Sequence, residues 1–577
     1  MEKIFGTIQH HMAAARSDAS TAGIYGASVA TRGFLTALIS HGRFDRYDIF
    51  YLPNLSNEKN TDIYGFNGKV CTFERAGLPR ALQNNYYHVF HNPNYFSLRD
   101  LSYMRTRFSK RVIPLSSSHH TLSYQFTLPD FLELLLSDVY ECDSIVCTSR
   151  TARYALQMLI NHVSGAIASD LGIILKYKGR LDLIPLGVDT NLFCPREKRT
   201  LRKQLNWPVD KVIILWLGRF SPYDKMDLSP LLLAFDAIDK KAREKAVLVL
   251  AGEDSRYGYA DTLREHVGNM GLNNKVIFRT NFPTIEGPMM YSAADIFVSP
   301  CDNIQETFGL TVIEAMSSGL PVIAADWNGY RDSVLDGVTG FLIPTRWISS
   351  GEDINELAPL SAWQIDHLRI AQSVCIDVPF FSSSLSSLIM NCQLRERMGK
   401  QARKHAVSTF DWKRVIYSYE QLWDELNAIA VNIPGFSQNK MGYIRPDYFH
   451  TFAHYPSSEI HGHTRIRITS RGLSKLDSGD SLKTHRMMRH FLNSEVINHI
   501  LCTLREANLA DTSMRFEDIV AFVVNRYGVT LDEANRYIMW LLKYDLICLV
   551  PLKGGEKGEA TSQEAYGPLS RNSSHRT

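Results

Sequence analysis

At 577 residues the chain exceeds what one hydrophobic core can organise, so three or four domains are expected. A composition of 45% hydrophobic and 21% charged residues excludes a disordered or fibrous chain. With 63 basic against 60 acidic residues the net charge is +3, which gives no ground for a nucleic-acid partner.

The N-terminus, MEKIFGTIQHH, shows no signal peptide, and no apolar run approaches the ~18 residues of a spanning helix. Nine scattered cysteines without metal-ligand spacing read as reduced thiols, so a cytoplasmic chain is expected. From there, KIFGTI, YDIFYL, HVFH, RVIPLSS, DSIVCTS and LDLIPLG read as strands of a mostly parallel sheet. GASVATRGFLTALISHG and SRTARYALQMLINHV carry helical periodicity between them. IPLGVDTNLF reads as a hinge, after which KVIILWLG, AVLVLAG, KVIFRT, DIFVSP, LPVIAA and GFLIPT form a second strand series, with LSPLLLAFDAIDKKARE as a helix among them. Nearly all-apolar strands are buried on both faces, so two doubly wound domains facing a cleft are expected, at 1–190 and 191–432.

Residues 347–385 break the pattern and read as an irregular insertion or cover. The helical stretch MGKQARKHAVSTFDWKRVIYSYEQLWDEL is expected to close the second domain. Residues 440–553 read as a winged-helix-like module of three helices and a short strand, and 554–577 as a disordered tail. The module's final helix is poor in Arg and Lys, so a peptide or protein partner is expected there rather than DNA.

Chemistry concentrates in QETFGLTVIEAMSSG, where Glu306 falls in a loop after a strand and Glu314 in the first turns of the next helix. Ligands of open α/β sheets sit at that edge. A carboxylate there accepts hydrogen bonds from a vicinal diol, and the free amides of a helix start favour phosphate. Read alone, the stretch suits helix-capping surface charges equally well. WLGRFSPYDKMD, after the first strand of the same domain, adds Arg219 and Lys225 at the same edge, a planar fork and a compact charge suited to a pyrophosphate.

Together, GRFSPYDK and ETFGLTVIEAM resemble the retaining glycosyltransferases of the large group-1, family-4 class. IPLGVDTNLF, YSAADIFVSP and GYRDSVLDGVTGFLIPT follow in that family's order, and the resemblance spans about residues 1–425. It implies the GT-B fold, two Rossmann-like domains with the donor site in the second. It implies a nucleoside-diphosphate sugar as donor, Arg219 and Lys225 on its diphosphate, Glu314 on the ribose and Glu306 on the transferred sugar. The backbone of Phe308, Gly309 and Leu310 would complete the cradle, with Phe282 and Pro283 near the base. His120 would donate toward the transferred sugar, and Gly23 and Gly26 would approach the phosphate. The acceptor stays open: saccharide, lipid, small molecule or peptide. The sequence contains no D-x-D, so no metal and no cofactor are expected, and retention would proceed by same-face substitution. A nucleotide-sugar epimerase on the same fold, or a sugar-nucleotide-binding scaffold, are the alternatives.

LRDLSYMRTRFSKR reads as a solvated basic face, with a peripheral membrane contact as the alternative. The histidines of FHTFAHYPSSEIHGH fit no metal-ligand spacing.

Overall fold

The structure, a computed structural model, describes residues 2–9, 26–51, 68–93, 98–124, 127–349, 351–361, 364–436, 442–478 and 492–550. Gly23 and the tail 554–577 lie outside the described residues. The chain divides into two compact units between Arg445 and Pro446, so the second begins six residues beyond the expected start of the C-terminal module.

The first unit holds two parallel sheets. The N-terminal one comprises β1 (Ile4–Gln9), β2 (Arg46–Tyr51), β3 (Val70–Glu74), β4 (Tyr87–Asn92), β5 (Leu115–Ser118), β6 (Ser144–Cys147) and β7 (Arg180–Leu183), in the order β3-β2-β1-β4-β5-β6-β7. The second comprises β8 (Val212–Leu217), β9 (Ala246–Gly252), β10 (Val276–Thr280), β11 (Ile296–Ser299), β12 (Val322–Ala325) and β13 (Gly340–Ile343), ordered β10-β9-β8-β11-β12-β13. In both, the strand order reverses beside the first strand of the domain, which opens a crevice at the strands' carboxyl ends. All six strands expected in the second sheet form. In the first, β3 is an addition that no apolar run announced: its residues are mostly half-buried, as suits an edge. The expected helix over LSPLLLAFDAIDKKARE is two helices, Ser229–Asp236 and Lys240–Lys245, because the Asp239 side chain accepts from the Ala242 amide and caps a new start.

Two expectations need correction. The helix Trp412–Val431 does not close the second domain. It crosses to the first, where Trp412, Val415, Ile416, Tyr419, Trp423 and Leu426 pack with Phe5, Phe34, Leu38 and Phe44. Its apolar stripe is matched by polar contacts: Trp423 Nε1 donates to Ser116 Oγ at 2.9 Å, and Tyr419 Oη lies 3.0 Å from Ser118 Oγ. The chain therefore passes between the domains twice, and the two passages lie side by side. Val188 N donates to Phe410 O at 2.7 Å and Trp412 N to Val188 O at 3.3 Å. Nor is 347–385 irregular. β14 (Thr345–Trp347) and β15 (Val374–Ile376) pair antiparallel, with helices Glu352–Leu357 and Ile365–Ala371 between them. The helix Val378–Met390 that follows is regular and packs into the main core.

The basic run 98–111 is not a uniformly solvated face. Arg105 is wholly buried, bonded to both oxygens of Asp143 at 2.6 and 2.9 Å and to the carbonyls of Ile113 and Asp138. Arg99 pairs with Asp100 and Glu133. Among the described residues, no helix is long and apolar enough to cross a membrane.

The second unit has more structure than expected. Four helices, Ser470–Ser478, Ser494–Leu509, Phe516–Tyr527 and Leu531–Lys543, surround a sheet of β16 (Arg465–Ile468), β17 (Met514–Arg515) and β18 (Ile547–Leu549) in the order β17-β16-β18. Ile466, Ile500, Leu501, Val523, Ile538 and Leu541 form its own core.

Candidate active site

Two loops carry most of the site, each leaving the carboxyl end of a strand. The loop after β8 carries Arg219, Asp224 and Lys225, and the loop after β11 carries Asn303 and Glu306. Gly252 lets the β8 and β9 ends approach, since a Cβ there would stand 1.6 Å from the Gly218 carbonyl oxygen.

Lys225 Nζ donates to Glu306 Oε2 at 2.6 Å, with both side chains mostly buried. Burial alone would push the glutamate up. The Lys225 charge and hydrogen bond, the Phe308 amide and the Tyr330 hydroxyl instead hold it below the ordinary range. Burial likewise lowers Lys225, but the Glu306 charge outweighs it and the net shift is upward. The pair is therefore ionised. Arg219 Nη1 donates to Asp224 Oδ2 at 3.0 Å and is close enough to Lys225 to repel its charge. Glu314 accepts from Tyr291 Oη at 2.8 Å, and burial raises its carboxyl to about 7 against the pull of that bond and of Lys225. The four residues singled out by the sequence thus share one electrostatic neighbourhood centred on Lys225.

The turn between the glutamates is specified sterically. Gly309 has φ +94°, and a Cβ on it would lie 2.1 Å from Tyr330 Cε1. Only glycine fits that backbone against that ring, which in turn bonds Ser299 Oγ at 2.8 Å and Glu306 Oε2 at 3.3 Å. The helix Leu310–Ser317 starts there, so its first amides point outward from the same turn. The Phe308 side chain is buried in the core and its amide donates to Glu306 Oε1 at 3.4 Å.

The first domain meets this loop directly. Ser149 Oγ donates to the Thr307 carbonyl at 2.8 Å, and Thr307 Oγ1 to the His120 carbonyl at 3.2 Å. His120 Nε2 lies 2.7 Å from the Pro93 carbonyl, so that nitrogen carries the proton. Burial lowers the pKa of His120 despite that bond, and burial with the neighbouring imidazole takes His91 and His119 down to about 3. All three rings are neutral near pH 7. Gly26 is the first residue of the helix Gly26–His41. Phe282 is half-buried against the second-domain core and Pro283 is exposed, and neither bonds Arg219, Lys225, Glu306 or Glu314 among the described hydrogen bonds.

Several site residues escaped the sequence reading: Asp224, Tyr291, Asn303 and Tyr330. Asp224 stood in view beside Lys225, and Tyr330 in the GYRD segment, but a tyrosine's role as carboxylate partner has no sequence signature. A pocket of about 270 Å³ adjoins the clamp, lined by Arg219, Ser221, Glu253, Ser255, Arg256 and Tyr257. Its lining takes in Arg219 but neither Lys225 nor the two glutamates.

Two parallel Rossmann-like sheets with a charged site at the second sheet's edge define the GT-B class of fold. Residues 197–359 match the family described as Glycosyl transferases group 1. Curated relatives include a D-inositol 3-phosphate glycosyltransferase of Thermobispora bispora, 31% identical over 33% of this chain and 46% of its own length. Another of that name, from Streptosporangium roseum, is 34% identical over 29% of this chain and 40% of its own. The chain thus spans under half the length of these two relatives. Among solved structures, a sucrose-phosphate synthase from Thermosynechococcus elongatus aligns over 74% of this chain and 100% of its own, at 20% identity and a TM-score of 0.49.

Proposed function

We propose that this chain is a retaining glycosyltransferase that moves a sugar from a nucleoside-diphosphate donor to a hydroxylated acceptor without a metal ion. The observation that carries the reading is the buried, ionised Lys225–Glu306 pair, with Arg219 and Glu314 in its field at the carboxyl edge of a parallel sheet. A lysine held charged there stabilises the charge that grows on a departing diphosphate more than it stabilises the intact donor. Arg219 would add a second, planar set of donors, and the first amides of the helix Leu310–Ser317 a third. Glu306, fixed by Lys225 and Tyr330, offers lone pairs to hydroxyls of the transferred sugar, and Glu314 to those of the ribose. His120, neutral and with its Nε2 proton committed to Pro93, would act on the sugar through Nδ1 or by shaping the cleft.

The names of the curated relatives agree with glycosyl transfer, and the lack of a D-x-D in the sequence agrees with charge neutralisation by side chains rather than by a bound cation. No protein nucleophile is needed in this scheme: the leaving diphosphate takes the acceptor proton on the face where the new bond forms.

The test is a thermal-shift screen of the full chain against UDP-, GDP-, ADP- and TDP-sugars, followed by product analysis with candidate acceptors. A donor at saturating concentration raises Tm in proportion to ln(1 + [L]/Kd). Nucleoside diphosphate should appear only when acceptor is present, and the anomeric configuration should be kept. No stabilisation by any donor, or an inverted product, overturns the reading. Release of an epimerised donor without acceptor identifies the epimerase alternative.

A further inference from the structure

The arm between β13 and the helix Val378–Met390 reaches the clamp from outside the sheet. Its root is held independently of its tip: β14 and β15 pair over three residues each, and the Trp347 ring stacks on Trp327 at 6.0 Å. Trp327 Nε1 donates to the Asn303 carbonyl at 2.9 Å, and Asn303 Nδ2 to the Tyr223 carbonyl at 3.0 Å, which ties the root to both clamp loops.

The tip places two polar side chains where covering a core would call for apolar ones. Gln364 Nε2 donates to Asp224 Oδ2 at 3.3 Å, the same oxygen that receives Arg219, while Gln364 Oε1 accepts from Tyr257 Oη at 2.7 Å. His367, 2% exposed, donates from Nε2 to the Ser123 carbonyl at 3.0 Å, and its ring lies 4.7 Å from that of Tyr124. Ser123 and Tyr124 belong to the first-domain loop after β5 that carries His120. One turn of helix, Gln364 to His367, therefore touches both the carboxylate that aims Arg219 and the loop that carries His120.

The seating is also incomplete. Asp224 Oδ1 and His367 Nδ1 are buried acceptors with no donor from the protein. Unmet buried acceptors cost stability, so these contacts are poor candidates for a purely structural brace. Their position suits a contact that changes when a diphosphate engages the guanidinium of Arg219.

Resting on the donor reading above, we propose that Gln364 and His367 are positioning residues of the transferase: Gln364 holds Asp224, and through it Arg219, in the orientation that receives the donor diphosphate, and His367 transmits that state to the loop carrying His120. Gln364 thus acts on diphosphate affinity and His367 on the ordering of residues 120–124. Because Gln364 acts through Asp224 and Arg219 on the diphosphate, nucleoside monophosphate binding is expected to change with neither.

The test titrates UDP and UMP, GDP and GMP, and ADP and AMP into the full chain by calorimetry. In the pair that binds wild type, Gln364→Ala lowers diphosphate affinity about tenfold, the size of one hydrogen bond to a charged group, and leaves the monophosphate unchanged. His367→Ala leaves both affinities unchanged but abolishes the added hydrogen-exchange protection that the diphosphate gives residues 120–124. His367→Gln keeps a donor for the Ser123 carbonyl and restores it. If wild type binds none of the diphosphates, the donor reading falls and takes this proposal with it. If wild type binds and Gln364→Ala weakens diphosphate and monophosphate alike or neither, or if His367→Ala keeps the protection, the arm has no positioning role and the donor reading stands.

Discussion

The two sheet edges that meet in the first unit differ in kind. The edge of the first sheet carries histidines that burial keeps neutral, His91, His119 and His120. The edge of the second carries an ionised pair and a second cation. Charge is buried in the first domain too, at Arg105 and Asp143, but there four protein hydrogen bonds hold the guanidinium at the amino end of β6. The contrast separates a structural charge, enclosed by its partners at the amino end of a strand, from charge held at a carboxyl end where a ligand can share it.

Replacing Lys225 tests that contrast most severely. Lys225→Ala should lower transfer about a thousandfold, the scale seen when a preorganised donor to a developing anion is lost. Asp143→Ala should do the reverse: a loss of about 4 kcal/mol in urea-unfolding stability, from stranding Arg105 without its partner, and no change in nucleotide affinity of the protein that remains folded. Equal effects of both substitutions on binding would erase the distinction.

Glu314 sharpens it through pH. Its carboxyl titrates near its ordinary 4.5 when unfolded and at about 7 when folded. Below 4.5 it is protonated in both states. As pH rises toward 7 the unfolded chain releases the proton first, so stability is lost through that window and the loss is complete above about 7. The gap corresponds to about 3 kcal/mol. Asp302, raised to about 7 by burial and by Asp227, adds a loss of the same sign, so the quantity to measure is the difference from Glu314→Gln. Wild type should fall relative to that variant between pH 4.5 and 7, and a parallel pair of curves would refute the shift. The smallest effect is expected at Gly309. Gly309→Ala should cost about 1–2 kcal/mol, from a positive φ and displacement of the Tyr330 ring, and donor affinity should weaken with it because that ring holds Glu306.

Much of this was legible in the sequence, and the exceptions have physical causes. Strands of the second sheet were plain because burial on both faces leaves uninterrupted apolar runs such as VIILWL and AVLVLAG. The edge strand β3, half-buried, left no such run. The helix Trp412–Val431 was readable as an amphipathic helix, yet its stripe does not say which domain it covers; that is decided by Ser116, Ser118 and Phe34, more than two hundred residues away. Arg219, Lys225, Glu306 and Glu314 could be picked out because their loops follow recognisable strands. Asp224, Tyr291 and Tyr330 were missed because partnership with a carboxylate or guanidinium is a property of the folded geometry alone. The arm looked irregular because its two strands are only three residues long and its other contacts, Trp347 with Trp327 and His367 with Ser123, reach segments outside it.

The central claim is that Lys225 and Arg219 receive a diphosphate. It is tested most directly by calorimetric titration of UDP, GDP, ADP and TDP into wild type, Arg219→Ala and the doubly neutral Lys225→Met/Glu306→Gln protein, which leaves no buried charge stranded. The account predicts that at least one nucleotide binds wild type and that both variants lose about a hundredfold in affinity for it while keeping their affinity for the parent nucleoside. Undiminished diphosphate binding by the doubly substituted protein would contradict it.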